Sequence, residues 1–134
     1  MDKLLDVIII GAGPTGLAAG IEAKNYDLDY LIIEKGCITN SIFHFPIQMV
    51  FFTTPELLEI GNMPLVCERE KPSRNEALKY YRKIVENTGL LVQQYEEVRN
   101  VRRKGQTFEV ESSCANYKSR TLVLATGYYD NPNR

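Results

Sequence analysis

The sequence predicts a three-layer α/β domain with a central parallel sheet and a small antiparallel β-meander. Two short β-branched runs, at residues 7–10 and 30–33, lack polar alternation, which is typical of parallel strands buried on both faces. A helical pattern separates these two runs. Three further strand-like runs follow one another near the C-terminus with turn residues between them, as in a meander.

The first elements form a βαβ unit. Residues 7–10 are the first, central strand, and Pro14 stands where a proline is tolerated in the first turn of a helix. Apolar residues at helical spacing continue to about Lys24, and residues 30–33 give a second buried strand that ends at Glu34. A strand, a helix and a strand within about thirty residues are typical of the βαβ motif.

An irregular segment and one clear helix come next. Prolines and a glycine interrupt residues 35–70, so we expect irregular structure with short helical turns. Ser73 and Glu76 form a capping-box pattern, and the apolar spacing predicts a helix over residues 74–88 that stops at Gly89.

The remaining elements are strands. Residues 90–92 predict a third parallel strand, and residues 122–125 predict another buried strand that ends at Thr126 and Gly127. The meander is predicted at residues 98–103, 107–111 and 117–120, and an exit loop at 130–133.

Composition narrows the class of protein. The 134 residues are 44% hydrophobic and 25% charged, as in a globular domain with a core. The formal charge of -1 offers no basic surface for nucleic acid or an anionic membrane, so we expect a small-molecule partner. No export signal or membrane-spanning stretch is visible, and three dispersed cysteines without a CxxC pattern favour the cytoplasm. No metal site is predicted.

A GxGxxG pattern directly follows the first strand. Gly11 permits the tight turn, Gly13 lets the backbone approach a pyrophosphate, and Gly16 lets the helix pack against the strand. The pyrophosphate meets free N–H groups and the positive end of the helix dipole. Pro14 and Thr15 complete this turn and are included in the predicted cofactor site.

Glu34 is the predicted ribose-binding acid. It ends the second strand, close to the ~20 residues after the glycine turn at which such an acid is expected. The alternative is a surface acid at the end of a strand. A carboxylate at this position disfavours a 2′-phosphate, so the residues alone leave FAD and NAD as possible occupants.

The motif Ala-Thr-Gly at residues 125–127 resembles the second fingerprint of thioredoxin-reductase-like flavoproteins, which implies FAD. Further segments are similar to the bacillithiol-disulfide reductase family, and this resemblance covers nearly all of the chain. They lie at residues 33–36, 40–46, 51–54, 72–78 and 125–132. The resemblance implies that electrons pass from NADPH through FAD to a small-molecule disulfide in the bacterial cytoplasm.

The resemblance also implies further cofactor contacts. Asn40, Ser41 and Thr53 are expected to bind the flavin or its ribityl chain, although loop residues are often polar. Lys35 either lies over the adenine or faces solvent, and Val98 would offer backbone groups to the adenine. The predicted contacts also include His44, Thr126 and Gly127.

Two residues are candidates for catalysis. His44, the only histidine, either supplies a proton near the flavin or is a hydrogen-bonded pocket residue. Cys37 is either a redox nucleophile or a small apolar packing residue. Many members of the family carry a cysteine where this sequence has Thr15, so a thiol role at that position is not available here.

We expect residues 1–134 to form a single, incomplete FAD-binding domain without an NADPH-binding domain, since only one GxGxxG pattern is present. The chain would then be an N-terminal fragment of an FAD- and NAD(P)H-dependent oxidoreductase, inactive alone. In its full-length form the protein would reduce a disulfide such as bacillithiol disulfide. A homo-oligomer is compatible with the sequence. The alternatives are a flavin-containing monooxygenase-like protein and a non-catalytic nucleotide-binding module.

Overall fold

The computed structural model describes residues 3–127, and the loop predicted at 130–133 lies outside them. The strands are β1 (Leu4–Ile10), β2 (Tyr30–Ile33), β3 (Val92–Gln93), β4 (Val98–Lys104), β5 (Thr107–Ser112) and β6 (Asn116–Leu124). The helices are α1 (Pro14–Asn25), α2 (Asn40–Phe43) and α3 (Arg74–Thr88), with a short 3-10 helix at Pro55–Leu57. Within the described range, no helix is both long and apolar enough to cross a membrane.

The strands form one mixed sheet in the order β3-β2-β1-β6-β5-β4. β1 pairs in parallel with β2 and β6, and β2 pairs in parallel with β3. β4, β5 and β6 pair antiparallel, which confirms the meander. The third parallel strand is also confirmed, but it begins at Val92, because Leu90 packs into the core instead of joining the ladder with β2.

One prediction about the strands is wrong. The sequence predicts separate strands at 117–120 and 122–125, whereas the structure contains the single strand β6. Its first half pairs with β5 as far as Ser119, while β1 pairs with it from Lys118 to Leu124. Because β1 offers partners to both halves, β6 passes from the meander into the parallel sheet without a break.

Apolar clusters on the two faces of the sheet create the three layers. On one face, Ile9 packs with Leu17 of α1 and Tyr81 of α3. On the other face, Ile8 and its neighbours pack against Val110 of the meander. Successive residues of a strand point to opposite faces, so Ile8 and Ile9 belong to different clusters. The predicted three-layer α/β fold is confirmed.

The ends of α3 follow the sequence signals. Ser73 Oγ accepts a hydrogen bond from the Glu76 N–H, and the Glu76 carboxylate accepts one from the Ser73 N–H. Gly89 ends the helix in the left-handed region, at φ 67°. The capping box and the glycine stop are therefore confirmed.

The irregular segment is attached to α3 through two tyrosines. The Tyr81 hydroxyl donates to the carbonyl of Leu58 at 2.6 Å, and the Tyr80 hydroxyl donates to the carbonyl of Met63 at 2.7 Å. α2 and the 3-10 helix are the short helical turns that the sequence predicts here. These contacts fix one wall of the cavity that holds the candidate site.

Candidate nucleotide-binding site

Two adjoining cavities lie at the carboxyl ends of β1, β2 and β6. The larger has a volume of about 560 Å³ and the smaller about 140 Å³. Glu34 and Thr126 line both. This edge of a parallel sheet is where α/β proteins bind their ligands, and an extended ligand could occupy both cavities.

The three glycines of the turn differ in what surrounds them. A Cβ atom on Gly11 would collide with the carbonyl of Ala125, and one on Gly16 would collide with the carbonyl of Gly11. Gly11 also has φ +112°, which disfavours any other residue. A Cβ on Gly13 would have no atom within 4 Å and would stand at the larger cavity. Gly11 and Gly16 therefore serve packing, while Gly13 leaves room for a ligand.

The N-terminus of α1 faces the same cavity. Gly13 is its N-cap and supplies no side-chain cap, and Pro14 is the first helical residue. The first turn contains no acidic residue. Both Pro14 and Thr15 line the larger cavity, so the positive end of the helix dipole is directed at the place where a pyrophosphate is predicted.

Glu34 lies at the junction of the two cavities and is 4% exposed. Its Oε1 accepts from the Ala12 N–H at 2.7 Å, and its Oε2 accepts from the Gly36 N–H at 2.8 Å. Each carboxylate oxygen retains a second lone pair. The backbone therefore fixes the carboxylate while leaving it able to accept from ribose hydroxyls.

α2 and the residue before it form a polar wall of the larger cavity. Asn40 and Ser41 line it as predicted contacts, and so does Thr39, which the sequence analysis missed. Thr39 is fully buried in the left-handed conformation, and its N–H donates to the carbonyl of Ala12 at 2.8 Å. No local signal marks Thr39, because its position depends on contact with the glycine turn.

Part of the lining of the larger cavity is apolar and comprises Ile42, Leu58, Phe45 and Phe51. The rings of Phe45 and Phe51 pack edge to face, with centroids 6.2 Å apart. Phe52, by contrast, is 94% exposed. The lining of the larger cavity thus combines polar groups at the glycine turn and α2 with an aromatic pair.

Four other predicted contacts lie on the cavity walls. Thr126 and Gly127 follow β6 and line the larger cavity, which brings the Ala-Thr-Gly motif next to the glycine turn. Lys35 and Val98 line the smaller cavity on the opposite side of Glu34. The structure therefore places the predicted adenine and pyrophosphate contacts along one path.

His44 and Thr53 do not lie among the residues that line either cavity. His44 is exposed at the end of α2, and its ring packs edge to face on Phe43, with centroids 5.2 Å apart. Thr53 Oγ1 is buried without a hydrogen-bond partner within residues 3–127. The roles of both residues in cofactor binding stay predictions.

Cys37 is buried next to Asn40, whose Oδ1 accepts from the Cys37 N–H at 3.3 Å. Burial raises the pKa of the Cys37 thiol, and this outweighs the opposing effect of Arg82. A raised pKa reduces the thiolate fraction, which favours the packing interpretation. Among the described residues, no group of three or more His, Cys, Asp or Glu is arranged to hold a metal ion.

A third cavity, also of about 560 Å³, lies on the outer face of the meander. Arg102 and Glu109 line it and form an ion pair at 3.6 Å, and Lys104, outside the lining, pairs with the same carboxylate at 3.7 Å. Because Glu109 and Glu111 in its lining balance Arg102 and Lys118, this cavity is a poor site for an anionic cofactor, and the glycine turn remains the candidate.

The βαβ unit, the glycine turn and the fixed acid define a Rossmann-like dinucleotide-binding domain. The family model for pyridine nucleotide-disulphide oxidoreductases matches residues 8–134, and the chain belongs to that family. Bacilliredoxin reductase Bdr of Bacillus subtilis is 44% identical over 127 residues, which cover 94% of this chain and 39% of that protein.

Solved structures agree with this assignment. Bacillithiol disulfide reductase Bdr from Staphylococcus aureus superimposes with a TM-score of 0.94 at 42% identity, covering 98% of this chain and 41% of that one. A flavin-containing monooxygenase from Stenotrophomonas maltophilia superimposes with a TM-score of 0.85 at 24% identity, covering 93% and 39%. The monooxygenase shows a shared fold only. The chain thus spans about two fifths of the length of these relatives.

Proposed function

We propose that this chain binds FAD as part of an FAD- and NAD(P)H-dependent oxidoreductase that reduces a low-molecular-weight disulfide such as bacillithiol disulfide. The observation that carries the proposal is the path formed by the two cavities, which meet at Glu34 and Thr126. The open space at Gly13 fits a pyrophosphate, and the fixed carboxylate of Glu34 fits a ribose.

The residues divide the proposed cofactor site into three parts. Gly13 and the first turn of α1 would hold the pyrophosphate, and Glu34 would hold the ribose of the adenosine half. Lys35 and Val98 lie on the adenine side. The predicted flavin side comprises Asn40, Ser41, His44, Thr53, Thr126 and Gly127.

FAD, when bound, supplies the two-electron transfer between a nicotinamide cofactor and a disulfide. The chain's own contribution is binding and orientation. The aromatic pair in the lining of the larger cavity would exclude water from the ring system, since Phe45 and Phe51 pack on each other. Gly11 and Gly16 keep the turn close to β6, which fixes the phosphate site relative to Thr126.

The disulfide substrate is proposed from the relatives named bacilliredoxin reductase and bacillithiol disulfide reductase. We propose that NADPH requires a further domain, that residues 1–134 are one incomplete FAD-binding domain, and that the enzyme acts in the cytoplasm. A homo-oligomer is compatible with this proposal. A monooxygenase-like activity is the second candidate, supported by the shared fold alone.

Nucleotide binding by Gly13→Val tests the phosphate site. The new side chain would occupy the open space at the larger cavity, so we expect FAD affinity to fall at least tenfold while the fold is retained. Flavin fluorescence measured during titration reports the affinity. Lys24→Val, on the exposed side of α1, is the control for introducing a β-branched residue into this helix.

The same titration with NAD distinguishes the two possible cofactors. We expect wild-type protein to bind FAD more tightly than NAD, because the aromatic pair in the lining of the larger cavity suits a flavin ring. Binding of NAD with no measurable affinity for FAD would contradict the proposed cofactor, and equal FAD affinity of Gly13→Val and wild type would contradict the proposed pose.

A further inference from the structure

Glu96 is a buried carboxylate at the smaller cavity that the proposed binding mode does not use. The residue is 5% exposed, and it lines the cavity together with Glu34, Lys35, Glu97 and Val98. Burying a carboxylate is costly unless hydrogen bonds satisfy it. The partners of its two oxygens therefore indicate what the residue does.

One carboxylate oxygen of Glu96 is held by two hydroxyl groups of the meander. Oε2 accepts from Ser112 Oγ at 2.5 Å and from the Tyr117 hydroxyl at 2.7 Å. The Glu96 N–H also donates to the carbonyl of Glu34 at 2.9 Å. Burial and the nearby Glu96 carboxylate raise the pKa of Tyr117 to about 12, so the phenol remains a donor at neutral pH. Glu96 is thus fixed relative to Glu34, the proposed ribose-binding residue.

The other carboxylate oxygen, Oε1, has no hydrogen-bond partner within residues 3–127, although the residue lines the cavity. Among the described residues, Oε1 is not one of the buried atoms that lack a partner, so it is open to the cavity, where a donor on a bound ligand can reach it. A ligand whose ribose is bound by Glu34 would place its base on the side of Lys35 and Val98. Of the groups on an adenine ring, the 6-amino group is the hydrogen-bond donor, and a carboxylate would accept from it.

We propose that Glu96 determines base specificity at this site by accepting a hydrogen bond from the 6-amino group of adenine. This inference rests on the proposed binding of an ADP-containing cofactor. Ser112 and Tyr117 are positioning residues in this arrangement, because they fix Oε2 and leave Oε1 for the base. The hydrogen bond involves no proton transfer and no redox step.

The test compares two nucleotides that differ only in the 6-amino group. Calorimetric titration of the 134-residue chain with ADP and with purine riboside 5′-diphosphate gives the ratio of their affinities. We expect wild-type protein to bind ADP about tenfold more tightly, as for one hydrogen bond to a charged acceptor. In Glu96→Gln the amide oxygen would take the place of Oε2 between the two hydroxyl donors, so a donating NH2 group would face the base, and we expect the ratio to fall close to one.

Glu97→Gln is the matched control, because Glu97 lines the same cavity, is exposed and undergoes the same change of charge. We expect it to keep the wild-type ratio. If Glu96 had only a structural role, its replacement would lower the affinity for both nucleotides equally and leave the ratio unchanged. If Glu96→Gln does not fold, Glu96→Asp withdraws the carboxylate by one methylene and is expected to lower the ratio in the same way.

The outcomes separate this inference from the proposed function. ADP binding by wild type with no preference over purine riboside 5′-diphosphate would overturn the role of Glu96 and leave the proposed FAD site intact. An unchanged ratio in the Glu96 variant would have the same meaning. Failure of wild type to bind ADP at all would overturn the proposed function itself.

Discussion

At the scale of single residues, the site depends on buried groups that are fixed by the backbone. Glu34 accepts from two N–H groups that belong to the glycine turn and to the loop after β2. It therefore links the two segments that the nucleotide would bridge. A carboxylate held in this way loses little conformational entropy when it binds a ribose.

The hydrogen bond between Tyr117 and Glu96 leads to a prediction about pH. The folded-state pKa of Tyr117, about 12, lies above its ordinary value of 10.0, so the stabilisation is complete below pH 10 and is lost as the pH rises through 12. We expect the unfolding free energy of wild type to fall over this window more steeply than that of Tyr117→Phe. Urea titrations at pH 9 to 12 would measure the difference, and parallel curves would contradict it.

At the scale of elements, the best predicted element is α3. Its start, its end and its buried face all depend on residues within the helix or next to it, such as Ser73, Glu76 and Gly89. β6 is the opposite case. Its continuity depends on β1, which is more than a hundred residues away in the chain, so local turn signals could not predict it.

The capping box of α3 can be tested by Ser73→Ala. This change removes the acceptor for the Glu76 N–H, and we expect the unfolding free energy to decrease by about 1 kcal/mol. Chemical denaturation monitored by circular dichroism would measure the change. Asn87→Ala, on the exposed face of the same helix, is the control and is expected to change stability by less than about 0.5 kcal/mol. Equal stability of wild type and Ser73→Ala would show that the cap is dispensable.

At the scale of the whole molecule, the fold brings two halves of a site together from distant parts of the sequence. The glycine turn and Glu34 come from the βαβ unit, and Thr126 comes from the end of β6. The meander contributes Val98, which lines the smaller cavity on the proposed adenine side. Since these residues meet through the parallel pairing of β1 and β6, damage to that pairing is expected to affect both cavities.

The activity of the chain gives a prediction at the same scale. The 134 residues contain one GxGxxG pattern, and the chain spans 39% of bacilliredoxin reductase Bdr. We therefore expect the chain supplied with FAD, NADPH and bacillithiol disulfide to oxidise no more NADPH than FAD alone. Absorbance at the NADPH band would measure this, with full-length Bdr as the positive control. Turnover by the chain would contradict the proposed need for a further nicotinamide-binding domain.

The sequence by itself determined the βαβ unit, the glycine turn, the acid at the end of β2 and the limits of α3, because each depends on short-range backbone geometry or on a local hydrophobic period. Only the tertiary structure decided that β6 is continuous, that Thr39 joins the cavity while His44 stays outside its lining, and that Glu96 is buried beside the proposed ribose site. Those properties arise from contacts between segments distant in the sequence, for which no local pattern carries a signal.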